Sequence, residues 1–200
     1  MRFVDEVIGV HRFSVIGASY GGLFARAIAH QFPERLTGLC LIAPRIRVDG
    51  ATDLPERTVI VADHIDASTL PEGWEWIPDM LVVQTPEVAR AITASVQAMT
   101  APPDEEYLTL SGAPENGRFP FDLEGGPVRC TAPALCVVGR QDSTVGYQDA
   151  WRLAEQLPRA SFAVLDRAGH ALPWEQPTLL RALIHDWLLR IREYASTTAD

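Results

Sequence analysis

Two rhythms of apolar residues alternate along the chain. Residues 13–16, 36–43, 134–138 and 162–165 are short apolar runs rich in Val, Ile, Leu and Phe, and they predict strands. The run at 36–43, LTGLCLIA, is almost continuously apolar, the pattern of a parallel strand covered on both faces. Between the runs the spacing becomes helical. Leu23, Phe24, Ala27, Ile28 and His30 give one broad side to a helix over 22–32 that Pro33 ends. Trp151, Leu153, Ala154 and Leu157 do the same over 147–157, before Pro158. Leu180, Leu183, Trp187, Leu188 and Ile191 form the stripe of a last helix over 177–194, and 195–200 reads as a polar, frayed tail. At the start, Phe3, Val4, Val7 and Ile8 share a helical face opposite Asp5 and Glu6, with Gly9 as the stop.

The alternation lapses between 45 and 120. That stretch is rich in proline and acidic residues. A helix starting at Thr85 is well signalled, because Thr85 can cap it, Pro86 suits its first position and Glu87 suits its dipole. Val88, Ile92, Val96 and Met99 supply its stripe, and 104–110 reads as a further short helix. Trp74, Trp76, Ile77, Met80, Leu81 and Val82 form an apolar cluster, either a pocket lining or glue to the core. Residues 114–126 read as a return loop. The expected division is therefore a sheet segment at 1–44, a mostly helical insert at 45–120 and a second sheet segment at 121–200.

Composition narrows the partners. The 200 residues are 47% hydrophobic and 22% charged, as in globular proteins. A net charge of -9 without a basic stripe argues against nucleic acid or an anionic membrane as partner. No run of 18 apolar residues is present and the first residues lack a signal-peptide core, so the expected location is cytoplasmic. Cys40, Cys130 and Cys136 have no metal-ligand spacing and read as buried free thiols of a reducing compartment. Asp63, His64 and Asp66 lack a second ligand group, so no metal is expected, and no cofactor either.

The chemistry lies in the turns that follow the strands. Residues 17–21, GASYG, are G-x-S-x-G between a strand and a helix. Small residues at 17, 18 and 21 allow the sharp reversal that lifts the Ser19 hydroxyl above the sheet edge, next to a helix N-terminus. Asp142 follows the strand at 134–138, and His170 follows the strand at 162–165. Groups at the C-terminal ends of parallel strands meet on one edge of the sheet. His170 would then take the Ser19 proton, Asp142 would orient the imidazole, and the Tyr20 N–H would face a developing oxyanion. Asp166 follows the same strand as His170 and reads as a turn or salt-bridge residue, and His30 as a surface or capping residue. The glycines do not fit G-x-G-x-x-G, which excludes dinucleotide binding.

Four stretches carry a resemblance. SVIGASYGG at 14–22, FPERLTGLCLIAP at 32–44, APALCVVGRQD at 132–142 and DRAGH at 166–170 resemble the nucleophile elbow, the next strand, the acid turn and the histidine loop of the α/β-hydrolase superfamily. Within it the chain resembles the lidded serine hydrolases, such as meta-cleavage-product hydrolases and small carboxylesterases. The resemblance implies an α/β fold, a mostly parallel sheet flanked by helices, with a helical cap at 45–120. It implies Ser19, Asp142 and His170 as a catalytic triad acting on small esters or related C–C bonds through an acyl-enzyme. Serine as nucleophile disfavours the epoxide and haloalkane chemistries, which use aspartate there.

One departure lies at the front. The family usually places several strands and an H-G loop before the elbow, and that loop donates the other oxyanion N–H. Only 18 residues precede Ser19 here, without an H-G pair. The expectation is a late-starting reading frame that carries the C-terminal portion of the fold, with activity in doubt, ahead of a real short form stabilised by self-association. The alternative is a non-catalytic hydrolase-fold fragment or small-molecule-binding module. The strand at 13–16 would then be an exposed edge open to self-association.

Overall fold

The computed structural model describes residues 3–48, 52–66, 68, 70–98, 119–124 and 128–197. The short helix expected over 104–110 and Met99 lie outside them, as do 114–118, 125–126 and 198–200 of the expected loop and tail.

Among the described residues, six strands and six α-helices follow in order. They are β1 (Phe13–Ala18), α1 (Gly21–Gln31), β2 (Leu36–Ile42), β3 (Val61–Ala62), α2 (Ile77–Met80), β4 (Val83–Gln84) and α3 (Pro86–Gln97). After these come β5 (Ala134–Gly139), α4 (Gln148–Ala154), β6 (Ala160–Leu165), α5 (Leu172–Glu175) and α6 (Pro177–Thr197). The main sheet is parallel, in the order β1-β2-β5-β6. Its helices occupy both faces. Ala25 and Ala29 of α1 and Ala150 and Leu153 of α4 pack with Leu39, Leu41, Cys136 and Val138 on one side. Leu180 and Trp187 of α6 pack with Cys40, Ile42, Leu135 and Val137 on the other. Consecutive residues of β2 and β5 thus enter opposite cores, which is why both strands read as unbroken apolar runs.

Three details correct the sequence expectations. Val4–Ile8 is a π-helical turn, closed by the Gly9 N–H on the Val4 carbonyl at 3.1 Å. The wider turn disperses the expected face: Val4 is buried, while Phe3 and Val7 are exposed. Residues Ala195 to Thr197 continue α6 and are not a frayed tail. The insert is not purely helical either. Val61–Val83 and Ala62–Gln84 pair as a two-stranded parallel ribbon, and Ile77, Leu81, Val82, Val83, Val88 and Ile92 form its apolar cluster together with Ala171.

Candidate active site

The turn after β1 holds Ser19 at φ 50, in the left-handed region that a non-glycine residue enters only at a cost. Its surroundings over-determine that conformation. The Ser19 N–H donates to the Ile42 carbonyl at 3.0 Å, and the Ser19 carbonyl accepts from Gly22 at 2.9 Å and Arg45 at 2.8 Å. Glycine is needed at two places for close approach. A Cβ on Gly17 would collide with the Gly21 carbonyl, and one on Gly22 would come within 2.6 Å of Pro44. The expected constraint at Gly21 is different, since a Cβ there meets nothing; its carbonyl is the atom that crowds Gly17.

Asp142 and His170 arrive from beyond the C-terminal ends of β5 and β6, which lie past β2 in the sheet. The Ser19 hydroxyl lies 2.8 Å from His170 Nε2, and His170 Nδ1 lies 3.0 Å from Asp142 Oδ2. Asp142 is fully buried, and its Oδ1 accepts the N–H groups of Thr144 at 2.9 Å and Val145 at 3.0 Å. A carboxylate so placed only accepts, so the Nδ1 proton points to Asp142 and Nε2 is left to accept from Ser19. The Gln141 N–H on the Ala168 carbonyl, at 3.1 Å, joins the acid turn to the histidine loop.

A cavity of about 240 Å³ opens above the hydroxyl. Trp74, Trp76, Ile77, Met80, Leu81 and Ile92 of the insert line it, with Pro173 and Trp174 from the segment after His170. The apolar cluster around residues 74–82 therefore divides: most of it faces the cavity, while Val82 is not among the lining and donates its backbone N–H to the Glu175 carboxylate.

The family-model comparison matches residues 2–183 to the alpha/beta hydrolase family. The chain belongs to the alpha/beta hydrolase family. The chain is 27% identical over 201 residues to a 2-hydroxy-6-oxononadienedioate/2-hydroxy-6-oxononatrienedioate hydrolase of Paraburkholderia phymatum, covering 94% of this chain and 66% of that protein. It is 24% identical over 187 residues to mouse (Mus musculus) monoacylglycerol lipase ABHD6, covering 90% of this chain and 55% of the relative. The chain thus spans about half to two thirds of the length of these relatives. Among solved structures, an alpha/beta superfamily hydrolase from Oenococcus oeni superposes with a TM-score of 0.78 at 24% identity, over 94% of this chain and 70% of that one.

Other residues singled out in the sequence stand away from the site. Asp166 is exposed and accepts a hydrogen bond from the Gln141 side chain at 3.4 Å. His30 stacks on Phe121 with ring centroids 4.9 Å apart. Asp66 accepts the Ser68 N–H at 2.9 Å in a local turn. One important residue had no sequence signal. Glu175, at the end of α5, is buried and accepts from three backbone N–H groups, those of Val82 at 2.6 Å, Val83 at 3.1 Å and Gly169 at 2.6 Å. Burial pushes its carboxyl up from the ordinary glutamate value; the three donors pull down against this, and the nearby Asp142 charge adds to the rise.

Proposed function

We propose that the protein is a serine hydrolase of small, uncharged esters, working through an acyl-enzyme. The observation that carries the reading is the unbroken hydrogen-bonded line from Ser19 through His170 to Asp142 at the floor of an apolar cavity. Ser19 Oγ attacks the carbonyl carbon while His170 Nε2 takes its proton, and the Tyr20 N–H at the head of α1 faces the oxyanion. Asp142 stabilises the imidazolium, which returns the proton to the departing alcohol. Water, deprotonated by His170, then attacks the acyl group and releases Ser19.

The substrate class follows from the wall. Apart from His170, no titratable side chain is among the described residues that line the cavity. A charged acyl group would be desolvated there without a partner, at a cost of several kcal/mol. The named substrate of the Paraburkholderia relative is a dicarboxylate; this wall favours a neutral acyl chain or ring instead. Residues 45–120 serve in this reading as a cap over the site. The free thiols at 40, 130 and 136 fit a cytoplasmic location.

A fluorophosphonate probe and p-nitrophenyl esters test the proposal. Wild type is expected to be labelled at Ser19 and to hydrolyse the butyrate in preference to an anionic hemisuccinate ester. S19A should abolish labelling. H170A should lower kcat by about 100- to 10,000-fold, and D142N by up to about 10,000-fold, as the wrong imidazole tautomer forms. Folded wild type that is neither labelled nor active, yet binds a neutral ligand, would instead indicate a binding module.

A further inference from the structure

The insert and the histidine loop meet through one side chain. Glu175 lies five residues after His170, and its two oxygens divide between two segments distant in sequence. Oε2 accepts the N–H of Gly169, the residue before His170. Oε1 accepts the N–H groups of Val82 and Val83, where the insert passes from the pocket wall at Met80 and Leu81 into β4. Space on both sides is tight. A Cβ on Gly169 would come within 2.7 Å of Val82 Cγ2, and one on Gly139 would collide with the Ala168 and Gly169 carbonyls. The histidine loop is thus held from below by the acid turn and from above by Glu175.

We propose that Glu175 is a positioning residue that sets His170 against Ser19 and locks the insert wall to the same loop. The proposal rests on the triad reading above. A carboxylate is the side chain suited to the place. All three partners are donors, and Val82, Val83 and Gly169 are buried, so water cannot replace what Glu175 supplies. Glutamine cannot do the same. Its single oxygen can keep the two insert N–H groups, but its NH2 then opposes the Gly169 N–H, donor against donor. Glu175→Gln therefore loosens the loop and spares the insert, whereas Glu175→Ala releases both.

The experiment compares wild type, E175Q and E175A by ester kinetics, by amide hydrogen exchange and by the imidazole NMR signals of His170. For E175Q, kcat is expected to fall about 10- to 100-fold, the size of effect that small misplacements of a reacting group produce. KM should stay within about twofold, because the insert anchor is kept. The Gly169 amide should lose exchange protection while Val82 and Val83 keep theirs. In E175A all three amides should lose protection, and KM should rise as kcat falls. An E175Q enzyme with wild-type kcat and unchanged His170 signals would overturn the proposal. So would a loss of activity that matches only the unfolded fraction. The NMR arm separates this from the hydrolase reading: if wild type neither turns over ester nor takes the probe, that reading fails, and the His170 signals still decide whether Glu175 positions the ring.

Discussion

Cys40 and Cys136 stand on adjacent strands but face opposite cores, Cys40 towards α6 and Cys136 towards α1 and α4. They cannot join across the sheet, and neither meets water. Burial pushes the Cys40 thiol up to about 12, and the Cys136 and Cys130 thiols also rise. Thiolate is the reactive form, so all three should be inert in the native protein. With a disulfide reagent at pH 8, native protein should release no rapid colour, and protein in 6 M guanidinium should titrate all three thiols. One fast-reacting native thiol would contradict the packing around it. The same scale explains what could be read in advance. Ser19, Asp142 and His170 each combine a reactive side chain with a place just after a short apolar run that forms a strand, a pattern that sequence exposes directly. Glu175 was invisible because its partners are main-chain N–H groups of Val82, Val83 and Gly169. Any residue type can supply such donors, so no motif marks them.

Among the elements, α6 shows how closely a helix is seated on the sheet. Trp187 is almost completely buried, and its indole N–H donates to the Pro133 carbonyl at 2.9 Å. Gly38 on β2 makes room for it, since a Cβ there would strike Ile191 and come within 2.8 Å of the Trp187 ring. Trp187→Phe should cost about 0.5–1.5 kcal/mol, the net worth of the lost hydrogen bond, because the Pro133 carbonyl still accepts from the Leu39 N–H at 3.1 Å. Trp187→Ala should cost about 3–5 kcal/mol through the cavity it leaves. Urea denaturation reads both, and equal losses for the two variants would show that the hydrogen bond, not the packing, holds α6. Long elements of this kind were legible, since their stripes repeat over several turns. The β3–β4 ribbon was not. Two residues per strand, Val61–Ala62 and Val83–Gln84, are too few to establish a period of two. The π-helical turn at Val4–Ile8 was misread for a related reason: its apolar residues match an α-helical face, but its hydrogen bond closes a wider ring.

At the scale of the molecule, β1 ends the main sheet among the described residues. Its residues alternate between a half-buried face packed on α1 and a more exposed face. Phe13 and Val15 join the α1 core, while Ile16 is 55% exposed. Phe3, Val7 and Val10, on the approach to β1, are exposed as well. A sheet edge beside apolar side chains is a template for another strand, and for two copies of this chain the simplest closed arrangement is a two-fold pair joined antiparallel through β1. The net charge of -9 opposes that approach at low ionic strength. Salt screens the repulsion and leaves the apolar contribution, so association should strengthen as salt rises. Light scattering over a concentration series at low and high sodium chloride tests this. Wild type should rise above its 22.0 kDa monomer mass as concentration and salt increase. Ile16→Lys, which places a charge on the open face, should hold the monomer mass under the same conditions. A wild type that stays at monomer mass throughout would show that the edge is closed to a second copy. An Ile16→Lys protein that still associates would place the contact on another surface.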